Sequence, residues 1–192
     1  MPDAFSIPET VLRSIFIGFG IVIPILVLSK TYGEKKVKLK QIFIHTSLQA
    51  VRVAGIVYFI LYLLQSLLLY NQQSPTIAEV RKQAFMFGED WLYYWYSPLI
   101  ILLLTQVWWI KKIALRKTAL VTFGLMLLIL PVLTSERVVV LLSGFHRDYV
   151  PADEWSFPIL TLLAELAINT VVFIFIIFTI MNIGGKFKTL KE

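Results

Sequence analysis

Apolar and polar positions do not alternate finely along this chain; they fall into long blocks. Five apolar stretches stand out, at about 11–29, 42–70, 91–110, 118–145 and 157–183. A helix needs about 20 residues to cross the roughly 30 Å hydrocarbon core of a bilayer, and each stretch is long enough. The second, fourth and fifth exceed that length, so their helices are expected to tilt or protrude. The first stretch invites comparison with a signal peptide. However, Asp3 and Glu9 precede or enter it, no small-residue cleavage site follows Leu28, and Lys30 comes next. It is read as a retained helix.

The segments between the stretches carry a charge pattern. Residues 31–41 hold Lys35, Lys36, Lys38 and Lys40 against Glu34, and residues 111–117 hold Lys111, Lys112, Arg116 and Lys117 with no acid. The tail after Gly185 holds Lys186, Lys188 and Lys191 against Glu192. The alternate segments are acidic on balance: Glu79, Glu89 and Asp90 against Arg81 and Lys82, then Asp148, Asp153 and Glu154 against Arg147. Cytoplasmic loops are enriched in Lys and Arg. The strict alternation therefore predicts five transmembrane helices with the N-terminus out and the C-terminus in. Aromatic residues fit this frame, with Trp91, Tyr93, Tyr94, Trp95 and Tyr96 at the outer end of the third helix and Trp108 and Trp109 at its inner end. Residues 74–87 read equally well as a short helix on the outer surface or as a plain loop.

Composition narrows the class. Hydrophobic residues make up 58% and charged residues 16% of the 192, and mean hydropathy is +0.77. Soluble domains are about 45–50% apolar and about 25% charged, so a soluble or disordered chain is excluded. The net charge of +6 fits a basic cytoplasmic face, with no base-stacking motif to suggest nucleic acid. There are no cysteines, which removes disulfides, thiolate catalysis and thiolate-held metal or iron–sulfur sites from this chain.

Charge inside the membrane is costly and is a functional hypothesis by default. Arg52, Glu136, Arg137 and Glu165 are read as intramembrane. At about 1.5 Å per residue, Arg52 lies roughly 15 Å from the inner face, and the other three roughly 12–14 Å from the outer face. Two positive and two negative charges at one depth are expected to face inward and pair. Asn169, one turn from Glu165, is expected to join by a hydrogen bond. The network is either a proton path or quinone-pocket wall, or a structural set of ion pairs that fixes helix register. The two histidines, His45 and His146, fall at opposite ends of their helices, so this chain alone cannot hold a bis-histidine haem.

A dense cluster closes the fourth stretch: His146, Arg147, Asp148, Tyr149, Pro151 and Trp155. Charge packed with aromatic surface at the outer end of the helix suggests a docking surface or the entrance of a site. The plain alternative is a capped helix end, with Asp148 and Asp153 as turn residues and Pro151 as the stop.

The run "ERVVVLLSGFHRDYVP" resembles a signature of the NrfD/PsrC family of quinone-interacting membrane subunits, in particular the NrfD-type subunits of alternative complex III. The matching positions are Glu136, Arg137, His146, Arg147, Asp148, Tyr149 and Pro151. Upstream, "YYWYSPLIILLLTQVWWIKK" is similar to the preceding helix of those subunits through Gln106, Trp109, Lys111 and Lys112, with Thr105 where proline is usual. The stretch from Tyr58 to Gly88 is similar in layout, with Leu64, Gln65 and Ser66 where an acid is often found. Family members have eight to ten helices in two bundles. The resemblance is to the C-terminal half, and it implies that the quinol site belongs mainly to the other bundle. It also implies a periplasmic iron–sulfur or cytochrome subunit as partner, which makes the cluster from His146 to Trp155 a periplasmic docking surface or the mouth of a quinol site.

The expectation is an all-α integral membrane protein of a bacterial inner membrane, forming half of an NrfD-like bundle. It would act as a subunit of a respiratory quinol-linked oxidoreductase, among other membrane subunits and lipid. No cofactor is expected on this chain alone; quinone or menaquinol is expected at an interface. The rival expectation is a non-redox membrane scaffold, assembly factor or small transporter subunit.

Overall fold

The computed structural model describes residues 6–70, 91–133 and 157–186. All of its regular elements are helical: α1 (Ser6–Leu28), α2 (Glu34–Tyr70), α3 (Trp91–Gln106), a 3-10 turn (Val107–Trp109), α4 (Lys111–Ala114), α5 (Lys117–Leu133) and α6 (Phe157–Ile183). Among the described residues three helices, in α1, α2 and α6, are long and apolar enough to cross a membrane. Two shorter apolar helices, 98–109 and 117–130, accompany them.

Helix α1 is the centre of the bundle. It packs against α5, α6 and α2, while α3 packs mainly on α2. Leu12, Ile15, Phe16, Phe19 and Ile23 recur along it at helical spacing, and all are buried. Aromatic rings connect the layers. Phe19 stands edge-on to Phe173 of α6 at 6.5 Å and meets Trp108 at 5.9 Å; Trp108 meets Phe123 of α5 at 5.7 Å. Offset and edge-on pairs at these separations suit the ring quadrupole.

Residue pairings fix the relative directions. Ser14 faces Asn169 and Gly18 faces Phe173, so α1 and α6 run parallel. Gly20 faces Leu128 and Pro24 faces Gly124, so α1 and α5 run antiparallel. Phe16 with Tyr58, and Arg52 with Trp108, make α2 antiparallel to both α1 and α3. Direction thus alternates along the chain. One end of the bundle collects Lys30, Lys35, Lys36, Lys38, Lys40, Lys111, Lys112, Arg116, Lys117 and Lys186, with Glu34 as the acid among them.

The structure departs from the hydrophobic pattern in three places. Helix α2 starts at Glu34, so the lysine-rich segment expected as a loop is largely helix. Lysine is a good helix former, and Glu34 in the first turn suits the helix dipole; the apolar pattern sees neither. Helix α1 likewise begins at Ser6 rather than near residue 11. Helix α3 gives way at Gln106 to a 3-10 turn, and Ile110 is extended at φ −78, ψ 100. Helix α6 ends in a Schellman closure: Lys186 N–H donates to Met181 O at 3.0 Å and Gly185 N–H to Asn182 O at 3.0 Å. Gly185 takes the left-handed φ of 65° that this closure requires. Residues 74–87, read as either a surface helix or a loop, and residues 134–145 of the fourth stretch lie outside the described residues.

Close approach of α1 to α5 depends on glycine. A Cβ built on Gly20 would lie 2.7 Å from Gly124 O and 2.6 Å from Leu128 Cβ. Both obstacles are fixed by helix backbone, so the helices would have to part. Gly20→Leu is therefore expected to destabilise by about 2–3 kcal/mol through overpacking, lowering the thermal midpoint in detergent by roughly 5–10 °C. Differential scanning fluorimetry on the purified variant measures it. An unchanged midpoint would mean that α1 and α5 do not meet at this distance.

Candidate functional site

Of the charges expected within the spans, Arg52 and Glu165 are described, together with Asn169. Glu136 and Arg137 lie outside the described residues, as does the whole cluster His146, Arg147, Asp148, Tyr149, Pro151 and Trp155. The described groups form two separate polar seams.

The first seam joins α1 to α6. Arg13 Nη2 lies 3.2 Å from Glu165 Oε1, with the two side chains 35% and 26% exposed. Beside Arg13, Ser14 Oγ lies 2.7 Å from Oδ1 of Asn169, which stands one turn after Glu165, and 2.9 Å from Thr10 O. A hydroxyl has a single proton, so it cannot donate to both. Turning the Asn169 amide resolves this: its NH2 donates to Oγ while the hydroxyl donates to Thr10 O. Parallel packing accounts for the pairing, because it places residues 13 and 14 beside residues 165 and 169. Asn169 is 5% exposed, and burial of an amide requires such partners.

The second seam closes the break in α3. Arg52 Nη2 donates to Trp108 O, a carbonyl at the end of the 3-10 turn. A cation suits a helix C-terminus, where unpaired carbonyls concentrate negative potential. The guanidinium also lies over the Trp109 ring, 5.0 Å from its centroid, a cation–π contact. Gln106 Nε2 donates to Arg52 O at 3.2 Å, and Trp109 Nε1 donates to Gln106 Oε1 at 2.7 Å. Gly55 admits Thr105 at this crossing, where a Cβ would lie 1.9 Å from Thr105 Oγ1.

The structure does not bring Arg52 and Glu165 together. Trp108 is level with Phe19, six residues along α1 from Arg13, which separates the seams by about 9 Å along the bundle. Sequence reading overlooked Arg13. It stands three residues into the first apolar stretch, where a charge passes for an end residue, and its partner is on the last helix. Among the described residues no group of three or more His, Asp or Glu side chains could hold a metal ion. His45 is exposed on α2.

The Arg13–Glu165 contact sets up a double-mutant cycle. Arg13→Gln and Glu165→Gln are each expected to lower stability in detergent, because each removes one side of a partly buried ion pair. The double variant is expected to recover about 1–2 kcal/mol of the summed loss. Strictly additive losses in chemical denaturation would remove the pairing.

Compared with known proteins, the chain matches no family model, no curated protein and no solved structure.

Proposed function

We propose that this chain is an integral subunit of a respiratory quinol-linked oxidoreductase in a bacterial inner membrane. Its basic end faces the cytoplasm, and its opposite end anchors a periplasmic redox subunit. The observation that carries this reading is a conjunction of sequence and direction. Helix α5 runs away from the lysine-rich end, and three residues after Leu133 the chain enters the run from Glu136 to Pro151 that resembles the NrfD/PsrC signature. The Arg13–Glu165 seam lies toward that same end of α1 and α6. The chain contributes part of a quinol and proton environment rather than a complete catalytic centre.

A second reading, a non-redox scaffold, draws on a specific observation. Arg13 with Glu165, Ser14 with Asn169, and Arg52 with Trp108 answer one another, as groups that only fix helix register would. Purification in mild detergent separates the two. Co-purifying haem or iron–sulfur absorbance with quinol-dependent electron transfer supports the first reading; a colourless preparation without redox partners supports the second.

Two further outcomes follow. Because the chain has no native cysteine, single introduced cysteines report topology cleanly. Lys36→Cys and Arg116→Cys are expected to label only in permeabilised cells, and Ser74→Cys and Asp153→Cys in intact ones. External labelling at Lys36→Cys reverses the orientation. At the other end, the planar guanidinium of Arg147 can meet a partner carboxylate through two hydrogen bonds, which lysine cannot reproduce. Arg147→Ala is expected to release the periplasmic subunit in a pull-down while insertion stays normal, and Arg147→Lys to restore little. Unchanged subunit content in Arg147→Ala removes the docking role.

A further inference from the structure

Helix α2 carries one outward stripe along nearly its whole length, through residues spaced three and four apart: Lys38, Gln41, His45, Gln49, Arg52, Ile56, Ile60, Leu63 and Leu67. All are exposed except Arg52, which is half-buried. The stripe changes character once. Up to Arg52 every member is polar, over about 21 Å of helix; beyond it every member is apolar. Helix α3 changes at the same level. Leu99 and Leu103 lie exposed on it at 42% and 66%, and Gln106 and Trp109 follow at helical spacing. The hydrogen bond from Gln106 to Arg52 O ties the two transitions together.

Below that level α3 is missing. The chain leaves it through the extended Ile110 and presents Lys111 and Lys112, both exposed, two and three residues after Trp109. Trp109 is 60% exposed. At this step Arg52 lies against the Trp109 indole, Lys111 and Lys112 follow two and three residues on, and Ile56, Ile60, Leu99 and Leu103 are exposed on the adjoining turns of α2 and α3. Among the described residues Arg13 pairs with Glu165, and no carboxylate pairs with Arg52.

We propose that the step below the α3 break is a binding site for an anionic phospholipid. Its phosphodiester sits against Arg52, Trp109 and the Lys111–Lys112 pair, and its acyl chains lie on the apolar stripes of α2 and α3. Charge complementarity selects the occupant. The site offers the charges of Arg52, Lys111 and Lys112 and the indole π surface at headgroup level, the indole N–H being held by Gln106 Oε1, and aliphatic surface above it. Arg52 supplies positive charge although its Nη2 is committed to Trp108 O, Lys111 and Lys112 add point charge, and an interfacial Trp marks headgroup depth. A zwitterionic lipid would bring its own ammonium to the same cations. The proposal does not rest on the respiratory reading; it applies equally to a scaffold.

The test uses the full chain, delipidated in detergent and titrated with dioleoyl phosphatidylglycerol or dioleoyl phosphatidylcholine under native mass spectrometry. Phosphatidylglycerol is expected to be retained preferentially. Lys111→Gln/Lys112→Gln is expected to weaken it by about tenfold or more. Lys30→Gln/Lys36→Gln removes the same charge from the same end but away from the step, and is expected to change affinity less than threefold. An independent readout is fluorescence in vesicles. Brominated phosphatidylglycerol is expected to quench more than brominated phosphatidylcholine, and Trp109→Phe to abolish the difference. Equal retention of the two lipids, or equal loss in the two double variants, overturns the site and leaves the Arg52 charge to the chain's own carboxylates or to a protein partner.

Discussion

The bundle depends on how closely α1 can be approached from two sides at once. Gly18 and Gly20 flank Phe19. A Cβ on Gly18 would lie 2.2 Å from Phe173 Cβ of α6, and one on Gly20 would meet the backbone of α5. Helices that run this close gain van der Waals contact along their backbones, the principal attraction left once lipid has replaced water as the solvent. Phe19 itself is fully buried and links α6 to the 3-10 turn by ring contacts, and Trp108 carries the chain of rings on to Phe123 of α5. Pro24 lies one turn on, against Gly124, and leaves Gly20 O without its usual helical donor. The tightest crossing therefore falls where the helix is least constrained by its own hydrogen bonds.

That crossing also explains why the polar side chains sit where they do. With α6 held parallel at Gly18, Ser14 one turn toward the N-terminus meets Asn169 one turn before Phe173, and the long side chain of the adjacent Arg13 reaches Glu165 a further turn back on α6. The seam is a by-product of register. A shift of α6 by one residue would move the carboxylate and the amide off the α1 face together. Arg52 answers a different need: it satisfies a carbonyl that the break in α3 leaves at a helix end.

Much of this was legible in the sequence, for identifiable reasons. Apolar block length announces the helices, because crossing a bilayer sets a minimum that few buried soluble helices reach. Loop charge anticipates which helix ends cluster, and the basic segments do gather at one end of the bundle. Other features left no local mark. The start of α2 at Glu34 is set by helix-forming lysines, to which a hydropathy scale is blind. The break after Gln106 occurs in a Val-Trp-Trp-Ile run with neither glycine nor proline, so it is imposed by tertiary contacts around the buried Trp108. The Arg13–Glu165 pair joins the two ends of the chain and has no spacing to read. Glu165 and Asn169 stand one turn apart and suggest a pair within one helix, whereas Asn169 reaches across to α1.

The parallel contact of the first helix with the last has a bearing on biosynthesis. Arg13 enters the membrane early, yet the segment that neutralises it is made about 150 residues later; Ser14 and Asn169 are 155 apart. At ribosomal speeds this is a wait of roughly 8–30 s. Throughout that interval the guanidinium must be sheltered by the insertion machinery, by snorkelling toward headgroups or by a passing polar partner. Helix α1 therefore cannot reach its final depth and neighbours by stepwise insertion alone. Helix α1, the centre of the bundle, is made well before the α6 surface that completes its packing.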